Sequence, residues 1–170
     1  MVHMGEYDKQ QNKYVTFQSG NEYFALQIKY VKEIIVYQEI TQIPESEEYV
    51  KGLINLRGKI IPVIDVRIRF KQEPVPYTDR TCIMVINVKG TVVGLIVDRV
   101  AEVVEIKPED VLDTPTFGNE EKCQNKYVYA LGKVGESVKM LLDPDRLLKD
   151  EDVLVPDVED EDSKEEGEEE

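Results

Sequence analysis

Few residues in this chain are equipped for chemistry. The one histidine among 170 residues, His3, lies in a polar stretch ahead of the first apolar run, so the body of the chain has no imidazole to act as a general base or metal ligand. That excludes Ser-His-Asp and Cys-His constellations and histidine metal sites. Cys82 and Cys123 form neither a disulfide framework nor a Cys-x-x-Cys site, and they read as ordinary thiols. Neither G-x-x-x-x-G-K-[ST] nor G-x-G-x-x-G is present, and Gly132 and Gly135 read as turn glycines rather than a phosphate cradle. Two carboxylates in a cleft would suffice for glycoside hydrolysis, but Trp is absent and most acids occupy surface-like positions. The expectation is a protein without catalytic residues, metal or cofactor.

The net charge of −14 is unevenly distributed. From Asp150 onward there are 13 acids against one base, Lys164, while residues 1–149 hold 22 acids and 20 bases. The acidity therefore belongs to a tail, residues 149–170, whose scarcity of apolar groups predicts disorder. Neither part has the Lys/Arg surplus that nucleic-acid binding requires. The longest apolar stretch, Val92 to Val97, is six residues, far short of the ~20 needed to span a membrane. Residues 1–13 carry no apolar signal segment and read as a flexible N-terminus, so a cytoplasmic location is expected.

The elements that must position any binding residues are strands. From Tyr14 onward, short β-branched and aromatic runs alternate with turn residues, the pattern of an all-β barrel or sandwich. Hairpins are predicted around Gln18-Ser19-Gly20-Asn21, at Arg57-Gly58, at Lys89-Gly90, and at Gly132-Lys133-Val134-Gly135 before Val138 to Leu142. Pro62 cannot donate to a ladder and marks an edge or a bulge.

The chain also repeats itself. A shift of 69 lays residues 14–35 on 83–104, where Leu26, Val31 and Glu33 meet Leu95, Val100 and Glu102. A shift of 78 lays residues 49–70 on 127–148, where Tyr49, Val50, Leu53 and Asp65 meet Tyr127, Val128, Leu131 and Asp143. Coincidence among valine-rich strands is the competing explanation. Two similar halves, about 14–70 and 83–148, would be joined by a linker around Pro74 and Pro76 within a domain of residues 14–148. Each half, with about five short strands, is too small to bury a core alone, so the halves should pack together and leave a seam for a partner.

The repeat breaks at one charged position. Asn55-Leu56-Arg57-Gly58 corresponds to Lys133-Val134-Gly135-Glu136, so Arg57 has no counterpart. It reads either as a solvated turn arginine over an acid or as a planar, permanently charged anchor at a binding surface.

The stretch Gly52-Leu53-Ile54-Asn55-Leu56-Arg57-Gly58-Lys59-Ile60-Ile61-Pro62-Val63-Ile64-Asp65-Val66-Arg67 resembles the signature of the CheW-like domain family. Phe24 to Ile34 before it and Val92 to Asp98 after it support the resemblance, which runs from about Tyr14 to Leu148. It implies two five-stranded SH3-like barrels around a shared core. It also implies a non-enzymatic scaffold joining transmembrane chemoreceptors to the histidine kinase CheA, whose regulatory domain shares the fold. A response-regulator receiver or an ATP-binding domain, found in other proteins with CheW-like domains, does not fit after Leu148.

Carried over by motif, the family's receptor-binding groove maps to Val31, Glu33, Val100 and Val103, with Arg57 nearby. The kinase-binding positions map to Ile34, Gly52, Cys82 and Ile83, although core packing explains Cys82 and Ile83 equally well. The competing reading is an unrelated small β-barrel that binds a peptide or small ligand.

Overall fold

The computed structural model describes residues 11–113 and 126–148. His3, Cys123 and the acidic tail 149–170 lie outside them, as does most of the expected flexible N-terminus. The first half carries β1 (Lys13–Ser19), β2 (Glu22–Gln27), β3 (Val31–Val36), β4 (Val50–Leu56), β5 (Lys59–Asp65) and the one-turn helix α1 (Val66–Arg69). The second carries β6 (Cys82–Val88), β7 (Thr91–Val97), β8 (Arg99–Glu105), β9 (Val111–Asp113), β10 (Val128–Val134), β11 (Ser137–Leu142) and α2 (Pro144–Leu147).

The two halves match in detail. One residue of β3 is bulged out between Val31 and Glu33, and the matching bulge in β8 leaves Ala101 unpaired between Val100 and Glu102. Each short helix is capped by an aspartate: Asp65 Oδ1 accepts the Arg67 N–H at 2.9 Å, and Asp143 Oδ1 the Asp145 N–H at 3.0 Å.

The fold is all-β, two SH3-like barrels, but neither barrel is built from one contiguous half. Strand order is β8-β1-β2-β11-β10-β9 in one sheet and β3-β6-β7-β5-β4 in the other. The β1–β2 hairpin of the first half thus sits between β8 and β11 of the second, and β6–β7 sits between β3 and β5. The joins to β11 and β5 are parallel, Phe24 against Met140 and Gly94 against Val63.

The exchange gives the central strands two buried faces. On β6, Ile83 and Val85 enter a cluster with Ile54, Ile61, Val63 and Ile96, inside one barrel. The alternate residues Met84 and Ile86 join Phe17, Phe24, Leu26, Leu95, Leu142 and Leu147 in a core drawn from both halves. On β1, Tyr14 faces the other barrel's cluster with Ala25, Ile106, Ala130 and Leu141, while Val15 and Phe17 face the shared core. A half on its own would expose one face of each such strand, and burying that face holds the halves together.

Three local expectations change. The six-stranded sheet has β9 as an added edge, whereas the first half has only a Thr41–Leu53 bridge at the matching place. Gly132 lies within β10, paired with Lys139 and Val111, rather than in a turn; it is needed there because a Cβ would stand 2.8 Å from the Ile106 side chain, and the turn is Gly135-Glu136. Pro62 lies inside a sheet, tolerated because pairing of β5 with β7 begins only at Val63.

Candidate functional site

The β4–β5 turn presents the charged position where the repeat breaks. Arg57 and Gly58 both take positive φ, 52° and 88°, as a two-residue type I′ hairpin turn demands. The Gly58 N–H donates to Asn55 Oδ1 at 2.9 Å, which closes the turn. The same device recurs at Asn87-Val88-Lys89-Gly90, with the Gly90 N–H on Asn87 Oδ1 at 3.0 Å.

From this turn Arg57 Nη2 donates to Glu33 Oε2 on β3. β3 and β4 are the two outer strands of the five-stranded sheet, so the pair spans the gap between its edges. The Arg57 side chain is 70% exposed and the Glu33 side chain 30%. An ion pair this open contributes little to stability, about 0.2–1 kcal/mol.

Arg67 shows the contrasting case. Its Nε donates to both Asp98 carboxylate oxygens at 2.9 and 3.0 Å, its Nη1 donates to the Glu73 carbonyl at 2.8 Å, and both side chains are largely covered. Hydrogen bonding to Asp98 holds the guanidinium above its ordinary pKa, and Asp98 also accepts the Gly20 N–H at 2.9 Å. Arg67 is a tether between the halves, whereas Arg57 has an exposed fork and one easily exchanged partner.

Val31 and Val100 occupy matching places on β3 and β8, each an outer strand of its sheet, and both are half-buried against the shared core. Val103 is 53% exposed and Ile34 is 41% exposed, and these two are also repeat equivalents. The expected division, Val103 to the receptor groove and Ile34 to the kinase, therefore separates two positions that the fold makes alike.

Gly52 and Ile83 offer no outward surface. Gly52 has φ +146°, and a Cβ there would lie 2.0 Å from the Thr41 carbonyl oxygen, because Thr41 exchanges backbone hydrogen bonds of 2.9 and 2.8 Å with Leu53. Ile83 is fully buried within a barrel. Cys82 is half-buried beside Val36, and its thiol donates to the Arg80 carbonyl at 3.3 Å.

Sequence reasoning missed Val36, 73% exposed, and Ile60, 60% exposed. Val36 continues the outward alternation of Lys32 and Ile34 along β3, a signal legible once the β3 register is known. Ile60 lies inside the recognised stretch and is the repeat equivalent of Val138, and both are exposed. Among the described residues, no cluster of three or more His, Cys, Asp or Glu side chains is placed to hold a metal ion.

Residues 13–152 match the CheW-like domain family. The chain is 34% identical over 145 residues to a chemotaxis protein CheW from Klebsiella aerogenes, covering 85% of this chain and 86% of that protein. It is 31% identical over 148 residues to a chemotaxis protein CheW from Treponema pallidum, with the same coverage of each. Among solved structures, the scaffolding protein TtCheW from Thermoanaerobacter tengcongensis superposes with a TM-score of 0.75 at 31% identity, covering 83% of this chain and 94% of that one.

Proposed function

The chain belongs to the CheW-like domain family, and we propose that it is a non-enzymatic adaptor coupling transmembrane chemoreceptors to the chemotaxis histidine kinase CheA. The observation that carries the reading is the Arg57–Glu33 pair, set at the open seam of one barrel with no counterpart in the other. Arg57 can turn its planar fork from Glu33 to a partner carboxylate or carbonyl, a bidentate contact that lysine reproduces poorly. Val31 and Val100 line the receptor groove from the shared core, with Val103 at its exposed rim. Ile34 and Cys82 lie on the kinase side, where Val36 extends the apolar strip, and Gly52 and Ile83 support that face from beneath.

In this reading the protein works on the cytoplasmic side and reaches the membrane only through its partners. No helix among the described residues is long and apolar enough to cross a membrane.

Receptor, kinase and this chain reconstituted together test the proposal. Arg57→Glu should leave the melting temperature within a degree or two, since an exposed pair contributes little, yet remove most receptor-dependent kinase stimulation. Adding Glu33→Arg to it separates two roles. Recovery of control means that the pair acts by holding the seam in shape, and continued loss means that Arg57 grips the partner. Wild-type stimulation by Arg57→Glu would return Arg57 to a solvated turn residue.

A further inference from the structure

A line of residues crosses the six-stranded sheet in register. Gln18 on β1 pairs with Arg99 on β8 and with Tyr23 on β2, and the parallel match of Phe24 with Met140 sets Lys139 on β11 beside Tyr23. Lys139 Nζ stands 4.5 Å from the Tyr23 ring centroid and Arg99 Cζ 5.9 Å from it. Arg99 also donates to the Tyr23 hydroxyl at 2.9 Å and to Gln18 Oε1 at 3.0 Å. A tyrosine thus holds two half-buried cations in one row. The matching positions in the other sheet are Tyr30, Asn87, Val92 and Ile61, none of them cationic.

Four cations on the body are matched by carboxylates: Arg57 by Glu33, Arg67 by Asp98, Lys89 by Asp145 and Arg146 by Asp143. Arg99 and Lys139 are in no ion pair among the described residues, and so present unbalanced positive charge. The chain itself carries the complement, since residues 150–170 hold 13 acids and the single base Lys164.

Reach does not limit the match. The segment begins just after Leu148, and about 20 extended residues span up to roughly 70 Å, against a radius of gyration of roughly 14 Å for a body of this size. We infer that the acidic segment 150–170 docks through its carboxylates on the Arg99–Tyr23–Lys139 row of its own chain. Each contact is exposed and weak, but tethering keeps the carboxylates at an effective concentration in the millimolar range. Many carboxylates then share the two cations by turns, and the segment needs no fold to dock. The inference rests on charge and register alone, independently of coupling to the kinase.

The test uses the full chain. With Cys82→Ser and Cys123→Ser in place, a nitroxide at Ser163→Cys reports proximity through relaxation of backbone amide signals. Amides of Gln18, Tyr23, Arg99 and Lys139 should broaden more than those on the opposite barrel. The broadening should fade between 0.05 and 1 M NaCl, as the screening length falls from above about 10 Å to about 3 Å. Arg99→Gln with Lys139→Gln should abolish it while the protein stays folded, with a small fall in melting temperature from the lost contacts to Tyr23 and Gln18. Broadening that is uniform, centred elsewhere, absent, or unchanged in the double variant would overturn the inference.

Discussion

The β4–β5 turn and the β10–β11 turn hold equivalent places in the two halves and share a positive φ at their first central residue, which differs in type, although only the first turn has positive φ at its second as well. Arg57 takes φ 52° where Gly135 takes φ 61°. Glycine reaches this region without steric penalty, whereas a side chain with a Cβ is strained there. The β10–β11 turn has glycine at that position, whereas the β4–β5 turn keeps an arginine there, as the β6–β7 turn keeps Lys89 at φ 53°. The Arg57 side chain reaches Glu33 across the seam, and at the matching positions the second half has Glu102 and Gly135. The proposed role of Arg57 in gripping a partner would account for a strained side chain that adds so little to folding stability.

The same pair of strands supplies a sharper contrast and the largest expected effect. Gly52 and Ala130 are repeat equivalents, and both follow a register shift. At Ala130 the neighbouring strand pairs regularly through Asp113, which leaves room for a methyl group. At Gly52 the Thr41 carbonyl fills that room. Gly52→Ala should therefore destabilise by about 3 kcal/mol, since the clash is with backbone and φ is unfavourable. Ala130→Gly should lose only about 1 kcal/mol. Urea midpoints of the two variants check the comparison, and equal losses would mean that the two barrels are packed alike at this point.

Each barrel also holds a tyrosine whose ionisation opposes folding. Burial is the main cause at Tyr14, aided by a hydrogen bond with Tyr129, and at Tyr77, aided by the 2.6 Å bond from its hydroxyl to Asp65 Oδ2. Both phenol pKa values are raised above the ordinary value of 10.0. The unfolded chain releases these protons first, so their contribution is intact below pH 10 and is lost as pH rises above it. Stability should fall above about pH 10 by up to about 1.4 kcal/mol per pH unit for each group. Urea titrations between pH 9 and 11.5 should show a shallower fall in Tyr14→Phe and in Tyr77→Phe. A slope unchanged in either variant would mean that the phenol concerned ionises freely in the folded protein.

How much of this could be read in advance depends on whether the signal is local. The hairpins at Gly20, Arg57 and Lys89 were legible because their turn residues have special backbone demands. The equivalence of the halves was legible because Tyr49, Asp65 and Leu26 recur as Tyr127, Asp143 and Leu95. Exchange of hairpins between barrels was not legible, because Val85 and Ile86 look alike in sequence while facing different cores. Gly132 was misread for a related reason: a turn glycine and a glycine crowded by Ile106 differ only in what approaches from far along the chain. At the site, Arg57 stood out by lacking a counterpart, whereas the burial of Ile83 and the exposure of Val36 depend on the β3–β6 register.

The smallest expected change returns to the two turns. Arg57→Gly gives the first half the residue that the second half already has. Relief of positive φ should stabilise by about 0.5–1 kcal/mol. Loss of the exposed pair with Glu33 should destabilise by about 0.2–1 kcal/mol. These terms nearly cancel, so the melting temperature should move by no more than about 2 °C. Gly135→Arg is the converse, adding strain and placing an arginine where Glu102 is the matching acid, and it should be slightly destabilising. A loss above about 2 kcal/mol in Arg57→Gly would show that the pair closes the barrel edge structurally. A near-zero change together with lost receptor control would separate the functional contribution of Arg57 from any contribution to folding.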